Sequence, residues 1–441
     1  MSIDRRWRRS PLTPLRATLA EFPRVVLVLA AGDLLASFGF SLFFPFLTIY
    51  LVQSLGASAA EAGLVIAAYS LFSVASGMAG GWLADRVGRR PVLIGSVSMT
   101  AVLVVSMALV SEAWHVGLVM VLLGCLDPAF LPAARAAVAD SVEEARRPRA
   151  FALLGVVNAI GWIAGPVIGA GLSSLGYPLL FGISGILIGS YTLVAVRWLP
   201  ETHPSSPAVE DPLSVAGAAG GHGTEPPDAR PAARRRVFVA FLPLLAVTHA
   251  LTFLWVTTLP IFAATTLHLA TPVWGVLFGI NGLLIVLFQM RISAAAEHHA
   301  KPVLMATATL LYAAGLGFVV LLEPATAVAG LAATIALVTV GEMLIMPVVP
   351  AFIAELSPVE RRGTYQGIAL AASSVGSGVG PPVAGLVLDL APGPTLWTAV
   401  AALLVAVSLG FVLLGRYATR HLPNGATPPG DPAGTPGRAL R

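Results

Sequence analysis

The 441-residue chain is poor in charge: 11% of it is Asp, Glu, Lys or Arg, against about a quarter in an ordinary soluble domain. With 56% hydrophobic residues it lacks the polar groups to cover a globule, which excludes soluble enzymes and nucleic-acid binders as classes. Its single cysteine, Cys125, lies in an apolar run, so neither a disulfide framework nor a cysteine-ligated metal site is available. Cys125 reads as a small core residue. The one lysine, Lys301, follows alanine rather than glycine, which excludes the Gly-Lys pair of a phosphate loop and hence an ATPase within this chain. Glu297, His298 and His299 are adjacent rather than spaced as zinc ligands, and read as a solvated charge run. No metal, cofactor or catalytic residue is expected, so any work must draw on a gradient.

In place of charge the chain carries 44 Gly and 34 Pro inside long apolar stretches, the composition of a polytopic helical membrane protein. Windows about 20 residues long and nearly free of charge, enough to span ~30 Å of hydrocarbon, fall near 25–50, 62–84, 91–111, 115–139, 150–172 and 177–198. A second six follows near 237–262, 272–291, 302–322, 327–354, 365–388 and 395–416. Alternate connections hold the cations: Arg86, Arg89 and Arg90; Arg146, Arg147 and Arg149; Arg230 and Arg234 to Arg236; Lys301; Arg361 and Arg362. The opposite connections, around Ser54, Trp114, Leu175, Leu267, Pro324 and Pro392, contain none. The positive-inside rule then predicts an all-α membrane protein of twelve spans with both termini cytoplasmic. Arg5, Arg6, Arg8 and Arg9 resemble an export signal, but the following apolar segment is long and has no small-residue cleavage site, so it reads as an uncleaved first span. The expected organisation is an N-terminal segment (1–24), a six-helix bundle (25–199), a Pro- and Gly-rich cytoplasmic linker (200–236), a second bundle (237–418) and a tail (419–441), with linker and tail disordered.

The stretches 147–171 and 362–386 match at an offset of 215 residues, pairing Gly161, Gly165 and Pro166 with Gly376, Gly380 and Pro381. Pro132 pairs with Pro347 and Asp140 with Glu355 at the same offset. Two copies of a six-helix unit place a substrate path at their interface near the midplane, where rocking of one half against the other alternates access.

Gly81-Trp-Leu-Ala-Asp85-Arg86-Val-Gly88-Arg89-Arg90 resembles the loop signature between spans two and three of the major facilitator superfamily. Gly161-x-x-x-Gly165-Pro166-x-x-Gly169-Ala170 resembles that family's antiporter motif, with Ala170 in place of the final glycine; Gly376, Gly380, Pro381 and Gly385 form its counterpart in the second half. The run from Gly341 to Pro347 and the segment Leu356 to Gly363 look like the tenth span and following loop of bacterial multidrug antiporters. The resemblance implies twelve helices in two pseudo-symmetric bundles, a bacterial plasma-membrane location, protons and a small molecule as partners, and a gating role for the first motif. Two departures stand out. The arginine such antiporters carry in the outer part of span four is absent, with Val119 and Met120 in its place. Arg135 lies further along the span, where it either substitutes in part or pairs with loop acids. Around 292–302 the second half has lost the aspartate and glycines of the loop signature.

Of 22 acidic residues, only Asp33, Asp127 and Glu342 fall near mid-membrane. Each costs about 2.5–3.5 kcal/mol there, so all three are expected to face the cavity, and a carboxyl out of water favours its neutral form, as a proton carrier must. Glu342 ranks first, then Asp127, then Asp33. Asp33, Ser37, Phe40 and Phe44 share one helical face suited to a lipophilic cation. His249, Phe253 and Trp255 are candidates for the opposite wall, with Asn158 and Asn281 as polar groups at depth, although His249 reads equally as a hydrogen-bonded core residue. Asp85, at a helix end, reads as a latch toward neighbouring arginines or the start of span eleven. The glycines of the antiporter motif allow close helix approach, and Pro166 and Pro381 bend their spans.

The leading reading is proton-coupled efflux of small lipophilic or cationic compounds, without enzymatic activity, by a chain expected to act as a monomer in the lipid bilayer. An importer or facilitator of a metabolite such as a sugar or organic acid is the alternative, and a transporter-like sensor is a third.

Overall fold

A backbone carbonyl or amide in hydrocarbon has no water to bond, so a spanning segment must satisfy its polar groups internally, and an isolated apolar segment does so as a helix. The computed structural model describes residues 22–143, 146–200, 229–358 and 361–421. Among them twelve helices are long and apolar enough to cross a membrane: α1 Arg24–Gln53, α2 Ala59–Ala84, α3 Arg89–Leu109, α4 Ala113–Val138, α5 Arg149–Leu175, α6 Tyr177–Trp198, α7 Ala233–Thr265, α8 Thr271–Ala296, α9 Lys301–Leu321, α10 Ala327–Leu356, α11 Arg362–Leu390 and α12 Gly393–His421. Each expected window has its helix, most of them longer than the window. The central linker and terminal segments lie largely outside the described residues, although helix is already present from Ala229.

Prolines interrupt the spans at chosen depths. A 3-10 turn, Phe44–Phe46, surrounds Pro45 in α1, and α7 is broken around Thr258, just before Pro260. Those two prolines stand at the same 215-residue offset as the motif residues. In α4 the turn Asp127–Ala129 surrounds Pro128. In α10 Pro347 removes the amide that would serve the Met343 carbonyl, and Gln289 Nε2 of α8 donates to that carbonyl at 3.1 Å. Ser96 Oγ of α3 likewise donates to the Leu126 carbonyl beside the α4 break at 2.7 Å. A neighbouring helix thus supplies what the lipid lacks.

The pairing of helices repeats. In the first six, α1 packs on α5 and α6, α2 on α4, and α3 on α6; in the last six, α7 packs on α11 and α12, α8 on α10, and α9 on α12. Two main seams join the sets, α2 with α11 and α5 with α8, beside smaller contacts of α1 with α7 and α8. The motif glycines sit in these seams. A Cβ at Gly161 would stand 2.8 Å from the Phe38 amide nitrogen, and one at Gly165 would stand 1.9 Å from Ser41 Oγ of α1. At Gly376 and Gly380 it would meet the Ala246 and Ala250 carbonyls of α7 at 2.0 and 2.3 Å. The prolines beside them face across the halves: the Pro166 carbonyl abuts Gly275 of α8, and the Pro381 carbonyl abuts Gly63 of α2.

These cross-half contacts lie at the end away from the arginine-rich connections. There Thr271 Oγ1 also donates to Gln53 Oε1 at 3.4 Å. Toward the arginine end, Gly155 of α5 and Gly363 and Gly367 of α11 have no atom within 4 Å of a Cβ position, and Phe151, Val156, Arg361 and Arg362 are exposed. The halves meet at one end and part toward the other. Trp114 and Trp198 are exposed at helix ends, as expected of an interfacial aromatic belt, with the Arg197 guanidinium 6.0 Å from the Trp198 ring.

The packing makes a contrast testable. Gly165→Val is expected to drive α1 off α5 and destabilise the fold by about 1–3 kcal/mol, whereas Gly155→Ala, in open space, leaves thermal stability of the purified protein within a degree or two of the parent. Equal melting temperatures for the two variants would refute this account of the motif.

Candidate functional site

The α4 break presents Asp127 at mid-span, between Leu126 and Pro128. Tyr69 of α2 donates its phenolic hydroxyl to Asp127 Oδ2 at 3.2 Å, and Thr100 of α3 sits at 3.5 Å from Oδ1. Gly124 brings α2 this close: a Cβ there would stand 2.6 Å from the Tyr69 carbonyl. Glu342 lies at the middle of α10, at the 215-residue offset from Asp127, so the two halves carry equivalent carboxyls. Its partner is Asn281 of α8, whose Nδ2 donates to Glu342 Oε2 and to Thr339 Oγ1, both at 2.9 Å. The carboxyl position is kept between the repeats and its surroundings are not: a phenol and a hydroxyl serve one, an amide the other.

Asp33 belongs to a third cluster, nearer the arginine end of α1. Ser37 Oγ donates to its Oδ1 at 3.2 Å. Asn158 of α5 donates to the same oxygen at 3.3 Å and to Ser37 Oγ at 2.7 Å. The antiporter-motif helix is therefore tied to α1 by a polar triangle one turn before Gly161. Ser41 Oγ extends the tie, donating to the Gly161 carbonyl at 2.8 Å.

Aromatic rings fill the space between these carboxyls in the first half. Phe40 and Phe44 stack at 5.2 Å. Tyr69 lies 6.0 Å and Trp162 6.1 Å from Phe40, and each is 6.3 Å from Phe44. Phe40, Tyr69 and Trp162 are partly exposed, and one face of the cluster ends on the Asp127 carboxylate through the Tyr69 hydroxyl. Tyr69 and Trp162 were not among the sequence candidates. The signal was available for Trp162, which follows Gly161 in the motif; for Tyr69 it was only a lone phenol in an apolar helix.

Several candidates occupy other roles. Trp255 is buried and stacks on Phe278 of α8 at 4.8 Å, so it belongs to packing and does not line a cavity wall. His249 Nδ1 is 3.1 Å from the Leu245 carbonyl of its own helix, the core arrangement. Asn281 is buried and committed to Glu342, which makes it a positioning group. Arg135 is exposed.

The loop-signature arginines hold the first half's own helix ends. Gly88 joins α2 to α3 at φ 109°, a conformation open to glycine. Buried Arg89 donates to the Ala84 carbonyl at 2.7 Å and pairs with Asp140 at 3.4 Å. Arg90 donates to the Val196 carbonyl near the end of α6 at 2.7 Å. The Arg86 guanidinium lies 4.6 Å from the Trp82 ring. The Asp85 side chain lies outside the described residues, so its latch remains a proposal; Gly81 is within the α2 helix. In the second half Lys301 pairs with Glu355, the residue equivalent to Asp140. A cation–acid clasp survives where the aspartate and glycines were lost.

The sequence profile of the Major Facilitator Superfamily matches residues 29–298 and again 245–439. The chain belongs to the major facilitator superfamily. A Na(+), Li(+), K(+)/H(+) antiporter of Planococcus maritimus is 24% identical over 426 residues, covering 90% of this chain and 97% of that one. Multidrug resistance protein MdtH of Cronobacter sakazakii is 31% identical over 159 residues, 36% of this chain and 40% of that one. Among solved structures, a POT family transporter crystallised with 5-aminolevulinic acid superposes with a TM-score of 0.75 at 13% identity, covering 90% of this chain and 97% of that one; this likeness concerns the fold. The superfamily protein described here is a multi-pass plasma-membrane transporter of the twelve-helix fold.

Tyr69→Phe keeps the ring and removes the hydroxyl from Asp127. If the transported compound is an aromatic cation exchanged for a proton, its binding, followed by tryptophan quenching, is expected to stay within twofold, while exchange driven by a pH gradient falls about tenfold, the equivalent of one lost hydrogen bond of about 1.4 kcal/mol to a charged group. Equal loss in both measurements would make Tyr69 a packing residue only.

Proposed function

We propose that this transporter is a proton-coupled exporter of small lipophilic or cationic compounds working by alternating access. The observation that carries the reading is the meeting of a four-ring aromatic cluster with the Asp127 carboxylate. Stacked and edge-on rings favour a flat apolar or cationic guest, and the carboxylate balances a positive charge. Asp127, Glu342 and Asp33 are the proposed proton carriers, and Asn281, Asn158 and Ser37 hold the latter two in place.

The arginine end faces the cytoplasm on the positive-inside rule, so the arrangement with the halves joined at the opposite end is the inward-open one. A compound enters from the cytoplasm and displaces a proton from a carboxylate; the loaded halves rock about the α2–α11 and α5–α8 seams; the compound leaves outside when the carboxylate is protonated again. Binding of guest and proton to one charge makes their fluxes opposite. For an uncharged compound, one proton moving down 100 mV supplies about 2.3 kcal/mol, enough for a roughly 50-fold gradient; a monovalent cation exchanged for one proton moves no net charge and draws on the pH difference alone. Likeness to an antiporter over the full length and to a multidrug resistance protein over part of it agrees with this reading. The absence of the span-four arginine favours instead a metabolite importer or facilitator, whose substrate would move without a proton released in exchange.

Inside-out vesicles separate the two. Adding a panel of lipophilic cations to acidified vesicles is expected to release protons, with the response lost in Glu342→Gln and in Asp127→Asn. Counterflow of a labelled metabolite that survives both substitutions, with no proton response to any cation, would replace the efflux reading with the facilitator.

A further inference from the structure

At the end where the halves meet, the first turn of α2 has its backbone donors divided between two sources. Ser58 and Glu61 form a capping box: Ser58 Oγ accepts from the Glu61 amide at 3.1 Å, and Glu61 Oε2 accepts from the Ser58 amide at 2.8 Å. That leaves the amides of Ala59 and Ala60, which no residue of the helix can serve. Both are taken by one carboxylate of the other half. Ala59 donates to Asp389 Oδ1 at 3.0 Å and Ala60 donates to Asp389 Oδ2 at 2.9 Å. Asp389 stands one residue from the end of α11.

The backbone around this contact is fitted to it. A Cβ at Gly385, one turn before Asp389, would stand 2.2 Å from the Ala59 carbonyl, and one at Gly63 would stand 2.5 Å from the Pro381 carbonyl. The seam continues inward to Gly378, opposite Ala67 and Ser70, and Ser70 is buried beneath it. Two aligned charge-assisted bonds and a helix N-terminus all favour the carboxylate here. None of them persists once α2 and α11 separate, when water takes over the Ala59 and Ala60 amides.

We propose that Asp389 is the latch of the end away from the arginines, a positioning residue of the transport cycle: its two hydrogen bonds to the start of α2 hold that end shut, and opening there requires their release. The contact is specific to one state because its donor and acceptor lie in different halves. It is the inverse of the arrangement the loop signature implies for Asp85, in which a carboxylate at the end of α2 serves the start of α11. On that resemblance each of these two antiparallel helices offers an acid at its finish toward the start of the other, and the pair engaged here is the one at the end where the halves meet.

The test uses full-length protein in lipid nanodiscs, with exposed Cys125 replaced by alanine and a reporter introduced as Ser70→Cys. A membrane-impermeant maleimide is added without substrate or proton gradient, so the result is separate from the efflux reading. Asp389→Asn removes the charge. Ala59→Pro attacks the same bond from the other side: proline is accepted at the first helical position, Ser58 already has the extended backbone that precedes proline (φ −68°, ψ 162°), and the Ala59 amide is lost. Both variants are expected to raise the labelling rate about tenfold. A second reporter, Ser408→Cys, buried within the second half, stays unlabelled in the same backgrounds and marks the fold as intact. An unchanged Ser70→Cys rate in the two variants overturns the latch. A rise in Asp389→Asn without one in Ala59→Pro overturns it as well, because Asp389 would then act elsewhere than on the start of α2.

Discussion

A polar backbone group released inside a membrane must find another protein group, because the lipid offers none. Much of this structure follows from that constraint. At the breaks in α4 and α10 such groups are released, and a side chain from an adjacent helix answers: Ser96 at the α4 break and Gln289 at Pro347. The breaks therefore fasten pairs of helices together at mid-depth rather than weakening single ones. The same breaks bring side chains inward at unusual angles, and Asp127 stands directly at one of them. Site and scaffold share one cause.

Glycine does the complementary work. Where two helices come near enough for a Cβ to collide with the facing backbone, the approach is close enough for the packing on which membrane helices depend in the absence of a hydrophobic drive. Gly161 and Gly165 pin α5 to α1, and Gly376 and Gly380 pin α11 to α7. These pairs keep each half stiff. The seams between halves, by contrast, set a glycine of one half against a proline carbonyl of the other, at Gly275 and Gly63. A glycine set against a carbonyl brings no side chain of its own to the seam, which suits helices that part and rejoin.

The spans, their number and the repeat were legible in the sequence because lipid imposes a single dominant periodicity: an apolar run of fixed length, punctuated by arginines on one side. The three deep carboxyls were legible for the same reason, since charge in an apolar helix has no bland account. Their partners were not. Tyr69 is one aromatic among many in apolar helices, and nothing local distinguishes it until α2 is laid against α4 through Gly124. Trp255 misled in the opposite direction, because its place beside Phe253 suggests a cavity wall while the stack on Phe278 turns it into packing. Asp389 is an acid near a span end, the ordinary place for one; its meaning comes from the start of α2, 330 residues earlier. Long-range pairing is what a linear pattern lacks.

Asp127 and Glu342 show how a duplicated fold becomes asymmetric. Gene repeats preserve position, so both halves present a carboxyl at the same depth. If their surroundings were also equal, a guest would meet two equivalent charges and gain no reason to prefer one. The structure gives Asp127 a phenol that belongs at once to an aromatic cluster, and Glu342 an amide bridged to a threonine of its own helix. A guest settling on the rings must disturb the hydroxyl that serves Asp127, whereas no ring contact of that cluster involves a partner of Glu342. On the proposed efflux reading, this asymmetry makes Asp127 the charge that compound and proton share, with Glu342 a second proton carrier whose partners touch no ring of the cluster.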